Sequence, residues 1–107
     1  MVKNKMRPIH PGEILEEEFL KPLKHTGLTP ASLANAIGVP ANRITAIIKG
    51  QRGVTGDTAV RLSEFFGNTA KFWMNLQASY DLRLAEKKMS KQVLKRIHEQ
   101  RETLVPA

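Results

Sequence analysis

The stretch from Leu28 to Gly53, LTPASLANAIGVPANRITAIIKGQRG, constrains the fold more than any other, because it reads as two short helices joined at a fixed angle by one tight turn. Thr29 is placed to cap the first helix, with Pro30 at the first helical position, where a missing N–H costs nothing. Leu33, Ala34 and Ile37 recur at helical spacing, and Gly38 supplies the positive φ that ends a helix and redirects the chain. Pro40 restarts a helix on which Ile44, Ile47 and Ile48 lie at i, i+3 and i+4 and form one buried stripe. Projection at about 100° per residue puts Asn42, Ala46 and Lys49 on the opposite side, flanked by Arg43 and Thr45. The two helices must cross closely, so the first carries the small Ala34 at the contact; bulk there would force them apart.

The rest of the chain frames this pair. From Pro11, PGEILEEEFLKPL sets Ile14, Leu15, Phe19 and Leu23 on an apolar side, with Glu13, Glu16, Glu17 and Glu18 near the helix start, where they suit the macrodipole. Pro22 removes an N–H, so this helix ends or kinks by Lys21. After the loop at Gly50, Gln51, Arg52 and Gly53, Thr55 can cap a helix with Ala59, Val60, Leu62, Phe65 and Phe66, ended by Gly67. Asn68 or Thr69 can cap a fifth helix, on which Trp73, Leu76, Tyr80 and Leu84 form a stripe that closes the core. Beyond Leu84 the chain is charged, with a narrow apolar set at Val93, Leu94 and Ile97 that fits a short amphipathic helix. Strand-like alternation is absent, so the expected fold is all-α. The expected organisation is a flexible basic arm over residues 1–10 (Lys3, Lys5, Arg7), a domain of about five helices over 11–84, and a charged C-terminal helix and tail over 85–107.

A chain of 107 residues suits one domain with a single core. It contains no Cys, which excludes zinc fingers, thiol catalysis and disulfides and fits a reducing cytoplasm. No run approaches the roughly 18 apolar residues of a membrane span, and the N-terminus lacks the apolar core of a secretion signal. The expected location is cytoplasmic. The net charge of +7 favours polyanions, chiefly nucleic acid, as partners. From Arg83 onward seven Lys or Arg stand against three Glu, so part of that excess belongs to the tail. His10, His25 and His98 are scattered and match no metal-ligand pattern, and no nucleophile elbow, phosphate-cradling loop or dinucleotide fingerprint occurs. Glu16, Glu17 and Glu18 are adjacent on a helix and point in different directions, so they make no paired-carboxylate site. No catalytic residue, metal or cofactor is expected.

The small Ala34, the turn at Gly38 and the apolar Ile44 make the central pair resemble the helix-turn-helix of the Cro and phage-repressor (XRE) class, whose second helix enters the DNA major groove. An αα-hairpin inside a helical bundle can show the same spacing. A second resemblance is more specific. The HPGEIL element within MRPIHPGEILEEEFLKPL, followed by the W-x-x-L-Q element within GQRGVTGDTAVRLSEFFGNTAKFWMNLQASYDL, is similar to the HigA (VapI-like) antitoxins over roughly Arg7 to Leu84. It implies a λ-repressor-like domain over that span, to which the C-terminal helix is additional. It further implies a homodimer that binds double-stranded operator DNA, represses its own operon and neutralises a HigB-type, mRNA-cleaving toxin. The alternatives are a stand-alone repressor without a toxin, or a protein-binding module that has lost DNA readout.

The expected DNA-contacting residues are Thr29, Pro40, Ala41, Asn42, Arg43, Thr45, Ala46, Lys49, Gln51 and Arg52. Ala41 and Ala46 stand where long polar base readers often sit, which leaves Asn42 as the main hydrogen-bonding reader and the alanines to meet thymine methyl groups. Phe72, Trp73, Leu76 and Tyr80 are the candidate dimer contacts. Glu13, Glu16 and Glu17 are the candidate toxin contacts, since an RNA-cleaving toxin should be basic.

Overall fold

The computed structural model describes residues 7–106, and among them the chain forms six helices and no strand. Helix α1 begins at Pro11–Ile14, capped by His10, whose Nδ1 accepts the Gly12 N–H at 2.9 Å. It continues without a break through Leu15–Leu20 as a wider turn, in which the Lys21 N–H bonds to the Glu16 carbonyl, five residues back, at 2.9 Å. The sequence predicts an ordinary α-helix here. The wider repeat brings Leu15 and Leu20, five apart, onto the same buried side, which a 3.6-residue repeat would not do. The helix stops at Leu20, as Pro22 requires.

Helix α2 spans Pro30–Ile37 and α3 spans Ala41–Ile48. Between them Gly38 takes φ 74°, and the Val39 N–H returns to the Ala34 carbonyl at 2.9 Å. Helices α4 (Gly56–Phe66), α5 (Ala70–Lys88) and α6 (Lys91–Leu104) are each capped by a hydroxyl, from Thr55, Thr69 and Ser90. The N–H at Thr58, Phe72 or Val93 is the donor in turn.

The core is built from Leu15, Leu20, Leu33, Ala34, Ile37, Ile44, Ile47, Ala59, Leu62 and Trp73, so each of the first five helices contributes to one cluster. Trp73 is fully buried, and its indole N–H donates to Asn68 Oδ1 at 2.9 Å. Thr69, not Asn68, therefore caps α5. Phe19 packs against Phe66 and Trp73, with ring centroids 4.8 and 5.1 Å away.

Residues 1–6, with Lys3 and Lys5 of the expected arm, lie outside the described residues. From Arg7 the chain is engaged: Arg7 pairs with both carboxylate oxygens of Glu13, at 3.0 and 2.8 Å, and His10 holds the start of α1. Contacts with the body thus begin ahead of the boundary expected at Pro11. At the other end α6 lies off the body, and every residue from Ala85 to Pro106 is exposed. The radius of gyration is 18.0 Å, against about 13 Å for a compact chain of this length.

Candidate nucleic-acid interface

The outward face of α3 is fixed from behind by three sets of contacts. Its isoleucines Ile44 and Ile47 are completely buried. Gly12 lies so close under the end of α3 that a Cβ there would fall 1.8 Å from the Ile47 carbonyl oxygen, so the start of α1 and the end of α3 touch backbone to backbone. From α4, Arg61 donates through Nη1 to the Ile37 carbonyl at 2.7 Å and through Nε to Asp57 Oδ2 at 3.0 Å. The same Asp57 oxygen receives Arg43 Nη1 of α3 at 3.0 Å. One carboxylate thus links the recognition-type helix to the residue that holds the turn. The bond from Arg61, then the charges around it, keeps the Asp57 carboxyl below its ordinary value.

The loop after α3 is tied down as well. Gln77 of α5 accepts the Val54 N–H at 2.7 Å through Oε1 and donates to Asp81 through Nε2 at 2.9 Å. The His10 ring lies edge-on to Tyr80, centroids 4.8 Å apart, and next to Gly50. Desolvation lowers the His10 pKa, opposed by a hydrogen bond to the Arg52 backbone and by the charge of Asp81. A neutral ring also suits the Nδ1 acceptor role in capping α1.

On this frame the expected residues fall as follows. Pro40, Ala41, Asn42, Lys49, Gln51 and Arg52 are exposed along one continuous run of α3 and its flanking turns, and Ala46 and Thr45 are half-buried between them. The Thr45 hydroxyl donates back to the helix, with the carbonyls of Ala41 and Asn42 at 3.4 and 3.3 Å. Two of the expected residues are engaged within the chain. Thr29 caps α2 as its sequence position indicates: its own N–H donates to Ser32 Oγ at 2.8 Å and its hydroxyl accepts the Ser32 N–H at 3.1 Å. This reciprocal box satisfies two of the donors at the helix start. Arg43 is held by Asp57 with its side chain 23% exposed, which ties α3 to α4.

The other candidate surfaces are also altered. Trp73 is removed from any dimer contact by its complete burial in its own chain; Leu76 and Tyr80 are half-buried, and Phe72 is partly exposed beside Trp73. Among the acidic residues, Glu13 is held by Arg7 and Glu17 by Lys21 at 2.7 Å, while Glu16 is half-buried. Arg7 keeps the Glu13 carboxyl below its ordinary value.

Asp57, Arg61, Gln77 and His10 are the positioning residues that sequence reasoning missed. The spacing of four between Asp57 and Arg61 in the first turns of α4 was a readable ion-pair signal. Nothing local announces the Gln77 bond to Val54, which spans 23 residues. Among the described residues no cluster of His, Asp or Glu could hold a metal ion, and no helix is long and apolar enough to cross a membrane.

A helix-turn-helix family model matches residues 23–73. Virulence-associated protein I of Dichelobacter nodosus is 52% identical over 84 residues, covering 78% of this chain and 75% of that protein. Antitoxin HigA-1 of Vibrio cholerae is 43% identical over 83 residues, covering 77% and 74%. Among solved structures, the Pseudomonas aeruginosa antitoxin HigA with the higBA promoter superposes with a TM-score of 0.73 at 46% identity, covering 81% of this chain and 91% of that one.

Proposed function

The chain belongs to the helix-turn-helix family that includes Virulence-associated protein I and antitoxin HigA, and on that footing we propose that it is a sequence-specific DNA-binding antitoxin. In this reading it represses its own operon as a cytoplasmic homodimer and neutralises a HigB-type, mRNA-cleaving toxin. No catalytic residue and no cofactor take part.

The observation that carries the reading is the contrast between the two sides of α3. The buried side is locked to α1 and α4 through backbone and ion-pair contacts, while the open side offers Asn42 near the helix start and Lys49 and Arg52 at its far end. A rigid helix with this order of side chains suits the major groove. Asn42 pairs with an adenine edge, Ala41 and Ala46 approach thymine methyl groups, and Lys49, Gln51 and Arg52 meet phosphates. The net charge of +7, carried mostly by the N-terminal residues and the C-terminal tail, draws the chain to DNA. Two copies meet half-sites about 34 Å apart, or a multiple of it.

The toxin contact is assigned to the acidic side of α1, around Glu16 with Glu13 and Glu17. Because Glu13 and Glu17 already hold cations of their own chain, a second reading is a stand-alone repressor. The two are separated by co-purification with the product of an adjacent reading frame. The DNA-binding core of the proposal is tested by titrating the full chain on a duplex from its own promoter and on a scrambled duplex, at several salt concentrations. Tighter binding to the promoter with a steep salt dependence is expected. Equal affinity for both duplexes would show that the helix-turn-helix no longer reads sequence.

A further inference from the structure

Helix α6 leaves an apolar stripe without a partner. Val93, Leu94, Ile97 and Leu104 are 45, 41, 52 and 72% exposed, and no residue of the helix is buried. An isolated helix of 14 residues is marginal in water, and helices of this length are held mainly by packing an amphipathic face. We propose that α6 is the dimer contact, pairing antiparallel with α6 of a second copy. The proposal rests on the homodimer of the preceding reading and adds where and how the copies meet.

The order of side chains selects both the occupant and the orientation. Val93, Ile97, Gln100 and Leu104 follow steps of four, three and four, the spacing of a coiled-coil seam. Leu94 and Arg101 flank the seam on one side, Arg96 and Thr103 on the other. In a parallel pair each Arg96 faces Arg101 of the second copy, so both edges carry like charges in contact. In an antiparallel pair Val93 meets Leu104 and Ile97 meets Gln100 across the seam. Arg96 then lies opposite Thr103, and Arg101 covers Leu94. The charge clash is gone at both edges, and the helix dipoles oppose each other. Lys91, Lys95 and Glu102 project away from the seam and stay in water.

Other occupants fit less well. The α5 residues first expected at the dimer contact are largely engaged in their own chain, Trp73 completely. DNA would seek the lysines, which lie opposite the apolar stripe.

The chain has no cysteine, so single-cysteine variants of the full protein report the pairing directly. Val93→Cys and Leu104→Cys proteins are mixed in equal amounts at tens of micromolar, oxidised gently, and the disulfide dimers identified by mass. The antiparallel pair predicts a Val93→Cys/Leu104→Cys heterodimer above the half share that random collision gives, and a large excess over a Lys95→Cys control. Predominant homodimers of Leu104→Cys would mean parallel helices and overturn the proposal, as would cross-linking no greater than the control. In parallel, Ile97→Glu is examined by sedimentation; since Ile97 lies outside the core, the five-helix body should keep its near-ultraviolet circular dichroism while the dimer shifts to monomer. A dimeric Ile97→Glu protein that still binds its operator overturns the α6 contact and leaves the DNA-binding reading intact. A wild-type protein that dimerises but does not distinguish its promoter does the reverse.

Discussion

Gly12→Ala isolates the contact on which the orientation of α3 depends. An added Cβ would lie 1.8 Å from the Ile47 carbonyl oxygen, 2.6 Å from its carbonyl carbon and 2.9 Å from Ile48 Cα. All three are backbone atoms, so no side chain can swing aside, and α1 must move from α3 by about 1 Å or more. A gap of that size forfeits roughly a quarter to a half of the dispersion energy between the surfaces it separates. Overpacking of a well-packed core costs about 1 to 3 kcal/mol, and the absence of any flexible neighbour puts this site at the upper end. Alanine returns about 0.5 to 1 kcal/mol through its better helix propensity. The net loss of about 2 kcal/mol lowers the melting temperature by roughly 8 to 16 °C in a domain of this size. Thermal unfolding followed by circular dichroism measures it, with Gly56→Ala as the control. Gly56 begins α4 with no atom within 4 Å of an added Cβ, so that variant should melt at or slightly above the wild-type temperature. If Gly12→Ala melts within about 4 °C of wild type, less than 1 kcal/mol has been lost, and the backbone contact does not hold α3 as argued.

Three further outcomes are expected. Gln77→Leu leaves the buried Val54 N–H without its acceptor and should cost about 1 to 3 kcal/mol by chemical denaturation; an unchanged midpoint would show that the bond is replaced by water. His10 has a folded pKa below its unfolded value of 6.5, so on acidification the unfolded chain takes up the proton first and stability falls in the window below pH 6.5, down to the folded pKa. His10→Asn, which can still accept the Gly12 N–H, should flatten the decline of melting temperature through that window; parallel declines would remove His10 as the cause. Reversing Glu16 and Glu17 to Lys should slow association with the toxin at low salt, and unchanged stopped-flow rates would move the toxin contact elsewhere.

The elements most legible in the sequence are those whose signals are local. Thr29, Gly38, Thr55 and Gly67 mark helix ends by what a single residue can do, and each stands at a cap in the structure. The isoleucine stripe of α3 was readable because burial repeats with the helix. What the sequence concealed depends on side chains meeting across long separations: Arg61 reaching the Ile37 carbonyl, Gln77 reaching Val54, and Gly12 passing under Ile47. The HPGEIL and W-x-x-L-Q elements signalled a family before their physical purpose was visible. The structure supplies it: Gly12 admits α3, His10 caps α1 against Tyr80, and Gln77 holds the loop that follows α3. Arg43 shows the opposite case, a cation on an outward flank by projection that Asp57 draws inward.

The most direct test of the account is the selectivity of Asn42→Ala, because Asn42 is exposed at the start of α3 and contributes nothing to the core. Equilibrium titrations of wild type, Asn42→Ala and Lys49→Ala on operator and scrambled duplex, at several salt concentrations, resolve base reading from phosphate contact. The account predicts that Asn42→Ala loses about 1 to 3 kcal/mol on the operator and almost nothing on scrambled DNA. Lys49→Ala should weaken both duplexes alike and reduce the salt slope by about one. If Asn42→Ala weakens both duplexes equally, α3 is not the base-reading element, and the central claim is contradicted.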